Sequence, residues 1–220
     1  MGHGHLTGRG VPSVFFPSRL QRLESSVVRI IAGKFRHRVL HGPPADTTRP
    51  ITDRVKQSLF DALAVAVGFD DVRVLDVFAG TGSMGLECLS RGAAEAVFIE
   101  RDKHAIAALR NNIAMLGVEG LSRIISADVY QWREAVGKDR GRYKLIFFDP
   151  PYSQMREANS AAALDALMIS MLQNYGTPDA VLLLRYPFGL NLASMKVFSL
   201  IRRQADYGSM SIVWISNEPV

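Results

Sequence analysis

The segment Val72 to Gly85, VRVLDVFAGTGSMG, constrains the fold of this chain more tightly than any other. An apolar, β-branched run stops at a glycine-rich turn and passes into helix-compatible sequence, as expected of a parallel strand buried on both faces and followed by a crossover helix. Gly80, Gly82 and Gly85 stand as GxGxxG. The absent side chains let the backbone turn tightly, approach a ligand closely and pack the helix on its strand. Alone, this pattern fits nicotinamide and flavin enzymes as well. Asp76, where the strand ends before the first glycine, narrows the choice, because a carboxylate there repels a dinucleotide pyrophosphate and attracts an ammonium. That preference favours S-adenosylmethionine, which carries an ammonium and a sulfonium and no phosphate. Glu100 closes the next apolar run, AVFIE, about 20 residues past the glycines, where an acid meets ribose hydroxyls in this kind of fold.

Around this unit the sequence alternates strands and helices. Strands are expected at Val72 to Val77, Ala96 to Glu100, Arg123 to Ser126, Lys144 to Phe148, Ala180 to Leu184, near Lys196 to Arg202, and Ser211 to Ile215. Helices are expected at Ser83 to Ser90, Lys103 to Leu116 with Gly117 as C-cap, Tyr130 to Val136, and Ala158 to Asn174. Alternation of this kind predicts an α/β fold with a mostly parallel seven-stranded sheet covered by helices on both faces. The last two strands have no room for a helix between them and should pair antiparallel.

Ahead of this lies an N-terminal extension. Met1 to Ser26 has Gly, Pro and Ser punctuation without a sustained period and reads as a disordered tail. Val28 to Leu40, VRIIAGKFRHRVL, reads as a β-hairpin hinged at Gly33-Lys34, followed by a proline-stiffened linker from His41 to Pro50. Thr52 can cap a helix running to about Val67, with Asp53 near its positive end and an apolar stripe at Val55, Leu59, Leu63 and Val67. The expected organisation is thus a tail over 1–27, a basic hairpin and linker over 28–51, and a catalytic domain over 52–220.

Charge is distributed unevenly along these parts. The net charge is +5, yet residues 1–56 carry ten lysines and arginines against three acids, so the excess is N-terminal and the remainder is mildly acidic. A basic appendage on such a domain suits a polyanion held by its phosphates. No apolar run reaches the roughly 18 to 20 residues of a membrane span, and no signal-type segment opens the chain, so a cytoplasmic protein is expected. Cys88 is the single cysteine, which excludes an internal disulfide and thiol metal clusters. His3 and His5 offer too few fixed ligands, and no metal is expected.

The strongest chemical signal is KLIFFDPPY, Lys144 to Tyr152. An apolar strand delivers an acid, two prolines and an aromatic to the carboxyl edge of the sheet, where open α/β sheets bind ligands. Pro150 and Pro151 lack N–H groups and have fixed φ, so they hold the Asp149 carboxylate and nearby carbonyls as rigid acceptors. Tyr152 adds a flat ring. Acceptors beside a stacking surface are what an exocyclic nucleobase amine needs, since its lone pair must be turned toward a methyl donor.

With these residues in view, DVFAGTGSMGLE and DPPY together resemble the Rossmann-like class I S-adenosylmethionine-dependent methyltransferases that act on nucleobase amines. The flanks RIIAGKFRHRVL, TTRPITDRVKQSLFDAL and LDVFAGTGSMGLECLSRGA resemble the bacterial 16S ribosomal RNA guanine-N2 methyltransferases of the RsmD type, from about Val28 to Tyr207-Gly208. The resemblance implies that Asp76 and the backbone of Ala79, Gly80, Thr81 and Gly82 hold the methionine part of the cofactor. It further implies that Glu100 holds the ribose, Asp128 and Val129 the adenine, and Asp149, Pro150 and Tyr152 the target guanine. Arg49, Pro50, Thr52 and Arg54 would bring the N-terminal segment to the site, and Arg29, Lys34, Arg36 and Arg38 would grip RNA. The implied partner is 16S ribosomal RNA in a small-subunit particle, and residues 1–27 fall outside the family's usual extent; the oligomeric state is left open, with a monomer as the default expectation. Rival readings are an N6-adenine or N4-cytosine methyltransferase on RNA or DNA, and methylation of a protein glutamine. A nicotinamide-dependent oxidoreductase leaves Asp76 and the proline turn unexplained. A non-catalytic RNA-binding module explains the hairpin but neither acid.

Overall fold

The alternating apolar runs assemble one seven-stranded sheet in a computed structural model that describes residues 27–42, 51–131 and 139–218. In chain order the elements are α1 (Asp53–Ala66), β1 (Arg73–Val77), α2 (Ser83–Ser90), β2 (Glu95–Glu100), α3 (Lys103–Leu116), β3 (Ser122–Ser126) and β4 (Tyr143–Phe148). Then come α4 (Tyr152–Arg156), α5 (Ala158–Tyr175), β5 (Gly176–Pro187), β6 (Ile201–Tyr207) and β7 (Met210–Ile215). The strand order is β3-β2-β1-β4-β5-β7-β6. Strands β1 to β5 pair in parallel, and β7 runs antiparallel to both β5 and β6. The order reverses direction between β1 and β4, which makes their carboxyl ends the crevice where ligands of such sheets bind.

Period-two alternation sends each strand's side chains into two cores. Leu75, Val77, Ile146 and Phe148 pack with Leu164, Met168 and Met171 of α5. Val74, Leu145 and Phe147 pack on the other face with Leu59, Phe60 and Leu63 of α1, Leu86 of α2 and Leu109 of α3. Helices therefore cover both faces, as expected, and Cys88 is fully buried in α2.

Several local expectations change. The expected stripe of α1 packs on the core, Leu59 and Leu63 buried with Val55 and Val67 partly buried beside them, and it is widened by buried Phe60 and by Lys56, which has an acid to meet inside. Residues Lys196–Leu200 form a 3₁₀ turn, so the sixth strand starts at Ile201; buried Asp165 accepts from the Lys196 and Val197 N–H groups and fixes that turn. The expected hairpin is a wider loop carrying one antiparallel bridge, Arg29 with Val39. Its arms are joined by Ile30 N–H to the Arg38 carbonyl, His37 N–H to the Ile30 carbonyl and Leu40 N–H to the Val28 carbonyl, and its tip bonds to α2: Lys34 N–H donates to the Ser90 carbonyl and Phe35 N–H to Ser90 Oγ. The tail over 1–26, most of the linker including Arg49 and Pro50, and most of the helix expected at Tyr130 to Val136 lie outside the described residues.

Candidate active site

Each glycine of the first turn answers a different local demand. Gly80 has φ +56 with open space where a Cβ would stand, while its N–H is taken up by Glu100. Gly82 has φ +81 and caps α2, and a Cβ there would meet Leu109 Cδ1 at 2.4 Å. A Cβ on Gly85 would meet Phe98 Cε1 of β2 at 2.4 Å, so only glycine lets α2 lie this close to the sheet. Phe78 also adopts a positive φ, 60°, a conformation that bulky residues rarely hold outside functional turns. Its ring packs edge-on against Phe148, with centroids 5.4 Å apart.

Three acids from the sequence reading surround this turn. Asp76 is the last residue but one of β1, 2% exposed, and its Oδ2 accepts from the Gly85 N–H at 2.9 Å. Burial, reinforced by the Asp149 and Glu100 charges, pushes its carboxyl up to about 8 against the pull of the Gly85 hydrogen bond. Glu100 closes β2, accepting from Gly80 N–H at 2.8 Å through one oxygen and from Arg101 and Asp102 N–H through the other. It thereby ties the glycine turn to the end of the neighbouring strand. Asp128, past β3, accepts from Tyr130 N–H and pairs with Arg101 at 2.7 Å, and these contacts hold it below the usual carboxylate range. Val129 beside it is buried.

One strand away, Asp149 continues β4 by donating its N–H to the Val77 carbonyl. Pro150 is buried, Pro151 caps α4, and Tyr152 opens that helix half-buried. The Asp149 carboxylate is gripped by a residue that sequence reasoning missed: Arg185 Nε of β5 donates to Oδ1 at 2.6 Å. Burial still raises Asp149 above its ordinary value, with Arg185 opposing.

The N-terminal segment is fastened to this machinery by buried polar groups that were also missed. Asn112 of α3, fully buried, accepts from His41 N–H and donates to the His41 and Thr81 carbonyls, joining the segment to the glycine turn. Lys56 Nζ donates to the Arg29 carbonyl and to Ser83 Oγ at the start of α2. Among the basic residues of the expected RNA face, Lys34, Arg36, Arg38 and Arg54 are exposed, and Arg29 pairs with Asp53 at 2.8 Å. A cleft of about 320 Å³ between the segment and α1 is lined by Arg29, Arg36, His37, Asp53, Arg54 and Gln57. Among the described residues no group of three His, Cys, Asp or Glu could hold a metal ion, and no helix is long and apolar enough to cross a membrane.

Comparison with known proteins adds lineage to this geometry. Residues 28–215 match the family described as Conserved hypothetical protein 95. A Bacillus subtilis (strain 168) protein provisionally named rRNA methyltransferase YlbH is 35% identical over 129 residues, 59% of this chain and 69% of its own length. Ribosomal RNA small subunit methyltransferase D of Escherichia coli (strain K12) is 38% identical over 128 residues, 58% of this chain; the match spans 62% of that protein, less than two thirds. A solved structure of a hypothetical protein from Thermus thermophilus superposes with a TM-score of 0.70 at 28% identity, covering 86% of this chain and 99% of that one.

Proposed function

The chain belongs to the Conserved hypothetical protein 95 family, and from that premise we propose that it transfers a methyl group from S-adenosylmethionine to the exocyclic N2 amine of a guanine in 16S ribosomal RNA. The observation that carries this reading is the meeting, at one sheet edge, of the glycine turn and its acids with the Asp149-Pro150-Pro151-Tyr152 corner on the adjacent strand. The relatives named as ribosomal RNA methyltransferases support the substrate class. The donor set also suits the cofactor. Glu100, and Asp76 once an approaching cation favours its ionised form, give the crevice an acidic lining, which attracts an ammonium and a sulfonium and opposes a pyrophosphate.

When bound, S-adenosylmethionine supplies an activated methyl group on its sulfonium. Glu100 would accept from ribose hydroxyls through lone pairs its backbone partners leave over, and Asp128 with Val129 would border the adenine. The backbone of Ala79 to Gly82 would border the methionine part, with Asp76 beneath Gly85 ionising as the cofactor's positive charge approaches. Asp149 and the Pro150 carbonyl would accept the amine hydrogens of the guanine and so turn the nitrogen lone pair toward the methyl group. Extruding the base from its stack costs a few kcal/mol, and stacking on Tyr152 would return roughly 1–3 kcal/mol of that. Orientation can lower the barrier by about 7–11 kcal/mol, so Asp149 need not be a strong base. The amine acidifies as its new bond forms, and its proton can leave afterwards.

The test is incubation of undermodified small-subunit particles, and of protein-free 16S RNA, with the chain and methyl-labelled S-adenosylmethionine, followed by mass spectrometry of the nucleosides. Label in N2-methylguanosine is expected. Label on adenine N6 or cytosine N4 would overturn the base assignment, and no label on either RNA would overturn the reading altogether.

A further inference from the structure

Arg185 takes no part in the cofactor and base contacts described above. It follows directly on Phe148–Leu184, the last register pair of β4 and β5, so it stands beside Asp149 at the carboxyl edge. Its Nε donates to Asp149 Oδ1 at 2.6 Å, and the two side chains are only 17% and 31% exposed. The charged group facing this carboxylate is Arg185 from β5, with the Tyr152 hydroxyl of α4 near the guanidinium, and Asp76 of β1 is close enough to be raised by the Asp149 charge. Arg185 is thus the cation that opposes the burial of Asp149.

The protonation state decides what this carboxyl can read. Ionised, it is an acceptor only; protonated, it presents an O–H donor beside an acceptor. The Watson–Crick edge of guanine sets its ring N1–H beside the N2 amine, two donors in a row. Adenine and cytosine set an unprotonated ring nitrogen beside the amine, a donor next to an acceptor. An acceptor-only carboxylate complements guanine and opposes the other two, and a neutral carboxylic acid complements adenine or cytosine instead. Leaving a buried polar group unpaired against the wrong base is the larger part of such discrimination.

We propose that Arg185 is a positioning residue that locks Asp149 as an acceptor-only carboxylate, so that Asp149 reads the paired N1–H and N2–H donors of guanine and rejects the mixed edges of adenine and cytosine. This rests on the methyltransferase reading, and it adds the source of base selectivity.

The experiment uses the full chain in wild-type, Arg185→Gln and Arg185→Lys forms. In the first arm, the Asp149 carboxyl carbon is titrated by NMR of aspartate-labelled protein, assigned with Asp149→Asn. Arg185→Gln should move the midpoint up by about one unit or more, the usual size of losing an opposite charge at hydrogen-bond distance. Arg185→Lys should lie between the two, and it serves alone should the glutamine variant not fold. In the second arm, target RNA fragments carrying guanine or adenine at the modified position compete for methylation. The guanine preference should fall about tenfold or more in Arg185→Gln and be largely restored in Arg185→Lys. An unmoved midpoint, or an unchanged preference in an active variant, overturns the role of Arg185. A wild-type chain that methylates neither fragment nor particle overturns the functional reading and the base-reading with it, while the titration still reports whether Arg185 controls Asp149.

Discussion

Lys56 Nζ lies 3.1 Å from Glu87 Oε2, with both side chains sealed from solvent at 1% and 0% exposure. Around this pair the remaining valences are filled. Lys56 also donates to the Arg29 carbonyl and Ser83 Oγ, and Glu87 accepts from Ile31 N–H, Ala32 N–H and Arg91 Nε. A buried ion pair holds its ground only when such added hydrogen bonds offset the loss of water. Here they join α1, α2 and the N-terminal segment at one point, directly behind the glycine turn.

Lys56→Met should therefore cost up to about 3–5 kcal/mol of folding stability, because it preserves apolar bulk while removing one of the two cations, Lys56 and Arg91, that face a buried carboxylate. Burial already pushes the Lys56 ammonium down from its ordinary value, with Glu87 opposing. Urea unfolding measures the cost, and Lys56→Met with Glu87→Gln should recover part of it. A loss of about 1 kcal/mol or less, the range of exposed pairs, would show that the pair is dispensable.

Asp149→Ala should leave S-adenosylhomocysteine affinity nearly intact while single-turnover methylation falls about 10²–10⁴-fold, the range for loss of a positioned catalytic group. Calorimetry and rapid quench supply the two numbers. Equal losses in both would move Asp149 from the target base to the cofactor.

How much of this was legible in the sequence depends on how local each constraint is. The glycines could be read because their demands, a positive φ at Gly80 and Gly82 and a close crossing at Gly85, recur wherever a strand turns directly into a helix. Asp149-Pro150-Pro151-Tyr152 was visible for the same reason. Arg185 was not, since its pairing with Asp149 exists only because β5 lies next to β4, and no spacing encodes that adjacency. Lys56 and Glu87 were hidden differently: on amphipathic helices a charge normally marks the solvent face. The hairpin expected at Gly33-Lys34 widened because Ser90, far along the chain, takes up the N–H groups of its tip.

Binding of a cationic cofactor should release protons. In the free protein burial holds Asp76 at about 8, so at pH 7 it is mostly neutral, and a nearby ammonium or sulfonium favours its ionised form. Calorimetric enthalpies of S-adenosylmethionine binding at pH 7 should then vary with the ionisation enthalpy of the buffer, and Asp76→Asn should abolish the dependence. The same raised value makes the folded state bind more protons than the unfolded state between about pH 4 and pH 8. Asp76 therefore lowers stability as pH rises through that window, and Asp76→Asn should flatten the slope.

Glu100→Ala should weaken cofactor binding in two ways, by removing the acid assigned to the ribose and by releasing the Gly80 N–H it holds at 2.8 Å. The expected loss is about tenfold or more, from one charged hydrogen bond of roughly 1.5–3 kcal/mol. Unchanged affinity for S-adenosylhomocysteine would remove Glu100 from the site.

Arg36 and Arg38 stand exposed on a loop whose backbone is fixed to α2, so their charges are presented from a rigid base. If they contact RNA phosphates, neutralising both should weaken RNA binding and make it less sensitive to salt, by roughly 0.7–0.9 in the logarithmic slope for each phosphate no longer neutralised. Arg202→Gln with Arg203→Gln is the matched control, because it removes the same charge from β6, the strand at one edge of the sheet. A slope changed by the first pair and not by the second places phosphate on the N-terminal loop. Equal changes would mean that only net charge matters, and no change from Arg36 and Arg38 would mean that the loop does not touch the RNA backbone.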